Sequence, residues 1–283
     1  MKKIYPRCLA FCFIITHCVF ISEINAQVPV TQNGKFATVN GLRLYYEDTG
    51  KGMPLILLHG FTGTAAIWKP FIPQFAKSYR VIAIDLPGHG RSDYMDTTEV
   101  YLHKRAAEYI LGLLNQLDID SANVMGISSG GFITLYMTTM KPELTKKIVV
   151  IGGQVYYSEK NRQFIKSIES EIKNEWIKNI NESHGKEKSA LLIKQFWNFR
   201  KLYGDPSFTP DVLATIKARA LIIHGDNDPI APLTNALEMF QNIPKANLWV
   251  VPNGGHIPIM SALNQDDFTR RALEFLKEDW EEK

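Results

Sequence analysis

Cysteine is scarce in this sequence of 283 residues, and its three cysteines, Cys8, Cys12 and Cys18, all lie close to the N-terminus. The remainder of the chain has no thiol, which excludes a cysteine nucleophile and a disulfide framework there. A chain of this length can bury an adequate core without cross-links. The stability of the fold and any nucleophile must therefore come from other residue types.

The N-terminal segment has the pattern of a secretory leader. Three basic residues, Lys2, Lys3 and Arg7, come first. An apolar run over residues 8–21 follows, and Ala26 then offers a small residue for cleavage. The run is shorter than the roughly 20 residues of a membrane-spanning helix, so a retained anchor is the weaker alternative. The sequence predicts a signal peptide over residues 1–26 and export to the periplasm or the medium, with no stable membrane span after cleavage.

An excess of charge of one sign is also lacking. The 32 basic and 29 acidic residues leave a net charge of +3, and the charges are interspersed along the chain. Binding to nucleic acid requires a basic stripe that this pattern does not contain. Zinc-ligand spacing such as HExxH is absent as well. We therefore predict a protein that acts on a small molecule, without nucleic acid, a metal or an organic cofactor.

Strand-like and helical segments alternate along most of the chain, as in a mostly parallel sheet covered by helices. Residues 36–48 are an exception, because Asn40-Gly41 suits the tight turn of an antiparallel hairpin. Short apolar runs typical of buried strands follow at residues 54–58, 80–84, 122–127, 148–151, 220–223 and 248–251. Helices with one apolar stripe are predicted over residues 65–76, 99–117, 130–140, 233–242 and 267–278. The predicted fold class is α/β, with an eight-stranded, mostly parallel sheet flanked by helices.

Residues 154–217 interrupt this alternation, because they are charged and helical in period and lack a convincing strand. Apolar residues from Phe164 to Ile180 recur at spacings of three and four, which predicts an amphipathic helix. A second, aromatic-rich helix is predicted over residues 191–203. We therefore predict a helical cap over 154–217, inserted into a core formed by residues 27–153 and 218–283.

The motif Gly126-Ile127-Ser128-Ser129-Gly130 follows a predicted strand and precedes a predicted helix. This is the GxSxG pattern in the strand-turn-helix context that lifts a serine hydroxyl out of a sheet. The glycines avoid clashes between the turn and the neighbouring strand and helix. Ser128 is the predicted nucleophile, because Ser129 lacks the flanking glycines in the same register.

A nucleophilic serine needs a base within hydrogen-bond reach and a carboxylate that orients the base. His256 follows one predicted strand, and Asp226 and Asp228 follow another. Because the carboxyl ends of parallel strands meet at one edge of a sheet, these side chains are expected beside Ser128. We predict His256 as the general base and favour Asp228 over Asp226 as the acid. The alternative for either aspartate is a turn-forming carboxylate.

From about Phe36 to the C-terminus, the sequence resembles the α/β-hydrolase family, whose triad runs in the order serine, acid, histidine. Besides the triad motifs, residues 59–62 (HGFT) resemble the oxyanion motif of the family, and residues 85–92 (DLPGHGRS) resemble its DxxGxGxS loop. The resemblance implies that the backbone N–H groups of Phe61 and Ser129 form the oxyanion hole. It implies a structural role for the loop over residues 85–92.

The resemblance also implies acyl transfer, in which Ser128 attacks a carbonyl, His256 moves the proton, and water hydrolyses the acyl-enzyme. A carboxylic ester is the predicted substrate, because it is the least demanding acyl group. A lactone, a thioester, a carbon-carbon bond or a peptide bond on the same triad are alternatives, as is a non-catalytic ligand-binding relative. Trp68 is a candidate substrate-binding residue just beyond the oxyanion motif, with core packing as its alternative.

Overall fold

The computed structural model describes residues 34–95, 98–169 and 174–277. The predicted signal peptide over residues 1–26 lies outside these ranges, so cleavage and export stay predictions. Within the ranges, no helix has both the length and the apolar character needed to cross a membrane.

A single sheet of eight strands organises the fold. In chain order the strands are β1 Gly34–Val39, β2 Leu42–Thr49, β3 Pro54–Leu58, β4 Arg80–Ile84, β5 Ala122–Ile127, β6 Thr145–Ile151, β7 Arg219–Gly225 and β8 Ala246–Val251. Their order across the sheet is β1-β2-β4-β3-β5-β6-β7-β8. β2 pairs antiparallel with β1 and β4, and the other neighbours pair in parallel. The predicted eight-stranded, mostly parallel α/β sheet is confirmed.

The hairpin that opens the sheet turns at Asn40 and Gly41, as predicted. Both residues have a positive φ, 48° and 83°, which is the backbone that a tight two-residue hairpin turn requires. The turn fixes the register in which Val39 faces Leu42. The turn therefore sets the pairing of the first two strands.

The central strands are apolar throughout because both faces of the sheet are covered. Successive side chains of a strand point to opposite faces. Accordingly, Ile56 and Leu58 of β3 belong to one buried apolar cluster, and Leu55 and Leu57 belong to another. Helices pack over each cluster, so the functional groups can emerge only at the edges where the strands end.

The helices in the described ranges are α1 Ile72–Phe75, α2 His103–Gln116, α3 Ser129–Met140, α4 Glu159–Ile168, α5 Asn174–His184, α6 Lys186–Asn198, α7 Pro210–Ala214, α8 Leu233–Asn242 and α9 Ala262–Lys277. Shorter 3-10 turns cover Ala65–Trp68, Phe199–Lys201 and Pro258–Met260. The helix predicted over residues 65–76 is wrong as one element. Pro70 has no N–H to donate to the preceding turn, and the segment divides into a 3-10 turn and α1.

Residues 154–217 are largely helical and contain α4, α5, α6 and α7. The amphipathic pattern predicted as one helix from Phe164 to Ile180 is divided, because α4 ends at Ile168 and α5 begins at Asn174. Residues 170–173, including the predicted apolar position Ile172, lie outside the described ranges. The division of the chain into a core and a cap stays a prediction.

Candidate active site

Ser128 lies on the sharp turn between β5 and α3. Its backbone has φ 51° and ψ −113°, a region that residues with a side chain rarely adopt. The Ser128 amide donates a hydrogen bond of 2.8 Å to the carbonyl of Ile151 on the neighbouring strand β6. Such strained backbone persists only where the surrounding structure holds it. The turn presents the Ser128 side chain at the carboxyl edge of the sheet.

Two glycines allow this turn to pack. A Cβ atom on Gly126 would lie 2.1 Å from the carbonyl oxygen of Gly130, and one on Gly130 would lie 2.4 Å from that of Leu58. Real Cβ atoms do not approach backbone oxygens this closely. The GxSxG spacing thus reflects the close approach of α3 to β5 and to the end of β3.

The three residues predicted as a triad lie together at this edge. The Ser128 Oγ is 2.9 Å from His256 Nε2, and His256 Nδ1 is 2.8 Å from Asp228 Oδ2. A carboxylate only accepts hydrogen bonds, so Nδ1 carries the proton and Nε2 accepts the serine hydroxyl. This arrangement has the polarity needed to remove a proton from Ser128.

The structure also separates the two competing aspartates. Asp228 is held by the backbone, because its Oδ1 accepts the N–H groups of Ile230 at 2.8 Å and Ala231 at 2.9 Å. Its side chain is 1% exposed. Asp226 is exposed at the surface. Of the two aspartates, Asp228 is the one whose carboxylate forms a hydrogen bond with His256.

His224 of β7 is a second imidazole beside Asp228. Its Nε2 donates to the carbonyl of Ala231 at 2.9 Å and lies 3.5 Å from Asp228 Oδ2. Burial lowers the pKa of His224, and the nearby Asp228 carboxylate opposes this effect. A neutral His224 therefore supports the loop that carries Asp228. The sequence predicts a buried strand over residues 220–223, directly before this histidine, but no motif in it indicates the contact with Asp228.

The two amides expected to form the oxyanion hole flank Ser128. Gly60 lies against Ser128, since a Cβ atom on Gly60 would be 3.5 Å from the Ser128 Cβ, and Phe61 follows Gly60. Ser129 is the first residue of α3, where a helix leaves its N–H groups without intrahelical partners. Across the described ranges, neither amide donates a backbone hydrogen bond. Both donors are therefore available to an oxyanion, and their catalytic role stays a prediction.

The loop over residues 85–92 is tied together by Asp85. This carboxylate accepts the N–H of Ala65 at 2.7 Å and both the N–H and the Nε of Arg91, at 2.9 and 3.0 Å. The Ser92 hydroxyl donates to the Asp85 carbonyl at 2.6 Å. These contacts fit the structural role expected for the loop.

Trp68 packs in the core of the protein. It is fully buried and belongs to the apolar cluster that includes Phe71 and Phe268, with its ring 6.1 Å from that of Phe71. These contacts match the core-packing alternative. A substrate-binding role for Trp68 stays an untested prediction.

Aromatic rings from residues 154–217 reach Phe61, whose amide is predicted to form part of the oxyanion hole. The Phe61 ring packs edge-on against Phe199 at 4.6 Å and against Tyr101 at 5.1 Å. Tyr157 stacks on Phe199 at 5.3 Å. The surroundings of Phe61 are therefore apolar and aromatic on this side. The sequence indicated aromatic helices here but not which rings would meet Phe61.

His103 is a site residue that the sequence did not reveal. Its Nε2 lies 3.1 Å from the Ser129 Oγ, and its Nδ1 lies 3.2 Å from Asp205 Oδ1. No motif in the sequence links these three residues. In the described ranges, no group of three or more His, Cys, Asp or Glu side chains is arranged to hold a metal ion.

Comparison with known proteins agrees with this architecture. Residues 53–184 match the model of a family described as the alpha/beta hydrolase fold. The chain is similar to 2-hydroxy-6-oxononadienedioate/2-hydroxy-6-oxononatrienedioate hydrolase of Paraburkholderia phymatum, with 30% identity over 76% of this chain and 85% of the relative. It is also similar to 2-hydroxy-6-oxo-6-phenylhexa-2,4-dienoate hydrolase of Burkholderia cepacia, with 28% identity over 88% of this chain and 98% of the relative.

Among solved structures, a meta-cleavage product hydrolase from Pseudomonas fluorescens shares the fold. The TM-score is 0.71 at 23% identity, and the match covers 86% of this chain and 97% of the other. The sheet and the Ser128 turn define a serine hydrolase of the alpha/beta fold. The chain belongs to the alpha/beta hydrolase fold family.

Proposed function

We propose that this hydrolase cleaves a carbon-carbon bond next to a ketone in a small 2-hydroxy-6-oxodienoate, with Ser128 as nucleophile, His256 as general base and Asp228 as the acid. The hydrogen-bonded chain of these three side chains, at 2.9 and 2.8 Å, is the observation that carries the proposal. The substrate class comes from the two relatives, whose named substrates contain a ketone and no ester. Hydrolysis of such a compound must break a carbon-carbon bond. The proposal therefore replaces the ester predicted from the sequence.

The chemistry follows from the polarity of the triad. In the keto tautomer of the substrate, the hydroxyl proton has moved to C5, and C5 is saturated. His256 Nε2 takes the Ser128 proton as Oγ attacks the C6 carbonyl, and the Phe61 and Ser129 amides hold the resulting oxyanion. Collapse breaks the C5–C6 bond, and the electron pair moves through the conjugated chain to the C2 oxygen. The proton held by His256 goes to this leaving dienolate.

Water then completes the reaction. His256 removes a proton from a water molecule that attacks the acyl-enzyme, and the same proton returns to Ser128 Oγ as the acid leaves. One water is consumed, and the products are a carboxylic acid and a hydroxydienoate. The aromatic rings of Phe61, Phe199 and Tyr157 supply an apolar environment suited to a conjugated chain or an aryl group.

A carboxylic ester is the second candidate, and Arg162 is the observation that favours it. A dienoate carries a carboxylate, which calls for a cationic or hydrogen-bonding partner. Arg162 is a buried cation of the 154–217 segment, and its guanidinium donates to the carbonyls of Phe199, Arg200 and Leu202. The Arg162 guanidinium is thus already engaged by backbone carbonyls and does not serve a substrate carboxylate. An uncharged ester needs no such partner, so this observation favours an ester.

Paired assays separate the candidates. The wild type and Ser128→Ala are compared on 2-hydroxy-6-oxo-6-phenylhexa-2,4-dienoate, followed by loss of its conjugated absorbance, and on p-nitrophenyl esters of increasing chain length. We expect dienoate turnover, with kcat reduced roughly 10⁴- to 10⁶-fold in Ser128→Ala. Turnover of esters alone would favour the second candidate. A wild type that neither turns over a substrate nor is labelled on Ser128 by an organophosphonate would leave a ligand-binding protein.

A further inference from the structure

A second set of serine, histidine and aspartate side chains lies directly beside the triad. The Ser129 Oγ is 3.1 Å from His103 Nε2, and His103 Nδ1 is 3.2 Å from Asp205 Oδ1. Ser129 follows the nucleophile, His103 begins α2, and Asp205 belongs to the 154–217 segment. The mechanism proposed above uses none of these side chains. Their arrangement therefore calls for a separate explanation.

The direction of the hydrogen bonds is fixed by chemistry. The Asp205 carboxylate accepts, so His103 Nδ1 carries a proton and His103 Nε2 accepts the Ser129 hydroxyl. Asp205 Oδ2 also accepts the backbone N–H of Lys104 at 3.2 Å. The residue before α2, Leu102, provides no side-chain cap, so Asp205 supplies the negative group that a helix N-terminus favours. Asp205 is thus held by the Lys104 N–H and in turn orients His103.

The array is shielded from solvent. His103 is 0% exposed, Ser129 is 2% exposed and Asp205 is 7% exposed. The His103 ring packs against Phe132 at 4.8 Å and against Tyr101 and Phe199, each at 5.4 Å. Hydrogen bonds in such surroundings are strong, and a partner left alone there is costly. The Ser129 side chain is therefore held in one position.

We propose that His103 and Asp205 are positioning residues that fix, through the Ser129 hydroxyl, the Ser129 amide of the oxyanion hole. The inference rests on the proposed function, in which this amide holds the oxyanion. Ser129 is the first residue of α3, so its amide belongs to the strained Ser128-Ser129 peptide and lacks an intrahelical partner. Anchoring the adjacent side chain limits rotation of that peptide. Displacements of about 1 Å in a site can cost on the order of 100-fold in rate.

The array also connects the oxyanion hole to residues 154–217. Asp205 is the member contributed by this segment, and Phe199 of the same segment packs on both His103 and Phe61. Packing of residues 154–217 in this position therefore holds the Ser129 amide through hydrogen bonds and the Phe61 amide through ring contacts. A merely structural role would instead have the array hold the segment in place and leave the donor unaffected.

The test uses Ser129→Ala, His103→Phe and Asp205→Asn in the full chain. Thr138→Val is the matched control, because it removes another buried hydroxyl of α3, one that donates to the Thr134 carbonyl. The readouts are the rate of organophosphonate labelling at Ser128, kcat per labelled site, KM and the thermal midpoint. We expect labelling and kcat to fall about tenfold in the three variants, short of the roughly 100-fold or more that loss of a donor costs. We expect KM to change little and Thr138→Val to match the wild type.

A double-mutant cycle shows whether His103 acts through Ser129. If it does, Ser129→Ala with His103→Phe falls no further in kcat than Ser129→Ala alone. Multiplied effects, or variants that lose thermal stability but label at the wild-type rate, would overturn the inference while the proposed function stands. A wild type that takes no label would overturn the proposed function, and this inference with it.

Discussion

Two arrays of the same three residue types lie side by side in this molecule. The first array is Ser128, His256 and Asp228, and the second array is Ser129, His103 and Asp205. Their hydrogen-bond distances are close, 2.9 and 2.8 Å in the first and 3.1 and 3.2 Å in the second. Residue types and distances therefore do not decide which serine is the nucleophile.

Backbone geometry and packing separate the two arrays. Ser128 has φ 51° on the turn after β5, whereas Ser129 lies in the first turn of α3. His256 is carried by the loop after β8, at the edge where the strands end. His103 is carried by a helix, and the aromatic rings of Tyr101, Phe132, Tyr157 and Phe199 surround it. A nucleophile needs a turn that lifts its hydroxyl out of the sheet, and only the first array has one among the two. The contacts of the second array are suited to holding the Ser129 side chain in place.

Among the substitutions that compare the two arrays, Asp228→Asn is expected to reduce kcat the most. Asparagine presents an N–H or an oxygen where the carboxylate held His256 Nδ1–H, so the imidazole loses its productive tautomer. We expect kcat to fall on the order of 10⁴-fold, as for the loss of a triad acid in other serine enzymes. Steady-state kinetics per labelled site provide the measurement.

Asp226→Asn is the matched control, because Asp226 is exposed two residues away. We expect it to keep wild-type kcat. Asp205→Asn should lie between the two, at about the tenfold loss expected of a displaced donor. If Asp205→Asn reduced kcat as much as Asp228→Asn, the assignment of different roles to the two arrays would be wrong.

The first array could be predicted from the sequence because its parts lie in motifs at strand ends. Gly126 and Gly130 marked the turn, and the ends of β7 and β8 carried Asp228 and His256 to the edge that Ser128 occupies. In such a sheet, knowing that each residue follows a parallel strand is enough to place them together. The choice between Asp226 and Asp228 rested on preference, and the backbone contacts of Asp228 supplied the physical reason.

The second array could not be predicted, because nothing local defines it. His103 and Asp205 are separated by 102 positions, and Asp205 lies in an irregular segment between helices. Their contact depends on how residues 154–217 pack over α2, which hydrophobic periodicity does not specify.

Local chemistry explains the smaller errors in the predicted bounds of helices and strands. Pro70 divides the helix expected over residues 65–76, and the charged residues Lys146 and Lys147 concealed the start of β6 at Thr145.

Alanine substitution of one glycine beside each array should show whether the two places differ in how closely they are packed. The quantity compared is the loss of unfolding free energy. Gly130→Ala places a Cβ 2.4 Å from the Leu58 carbonyl oxygen and 2.8 Å from that of His59, and neither backbone atom can move freely. We expect a loss of about 3 kcal/mol in unfolding free energy, the upper end of overpacking costs, measured by urea denaturation. Gly204→Ala, next to Asp205, meets nothing within 4 Å and should stay near the wild type. Equal losses in the two variants would show that close packing is not particular to the Ser128 turn.

The smallest expected effect is on the pH dependence of stability and concerns His59, the buried histidine of the predicted oxyanion motif over residues 59–62. Like His103 it is fully buried, but its partners are backbone groups, since Nε2 accepts the Leu86 N–H at 2.9 Å and Nδ1 donates to the Gly60 carbonyl at 2.7 Å. Burial lowers the pKa of His59 to about 4 from an ordinary 6.5, and the nearby Asp85 carboxylate offsets this only in part.

The sign of the resulting pH dependence follows from proton binding. Below pH 6.5 the unfolded chain protonates His59, while the folded protein keeps it neutral until the pH approaches 4. The unfolded state then binds more protons, so stability falls as the pH decreases, by about 2 kcal/mol from this residue between pH 8 and pH 5. His59→Gln removes the titrating ring, so its unfolding free energy should drop less over this interval than that of the wild type, whatever the variant loses at pH 8. Urea denaturation at the two pH values measures the difference. An unchanged pH dependence would mean that groups other than His59 account for acid destabilisation.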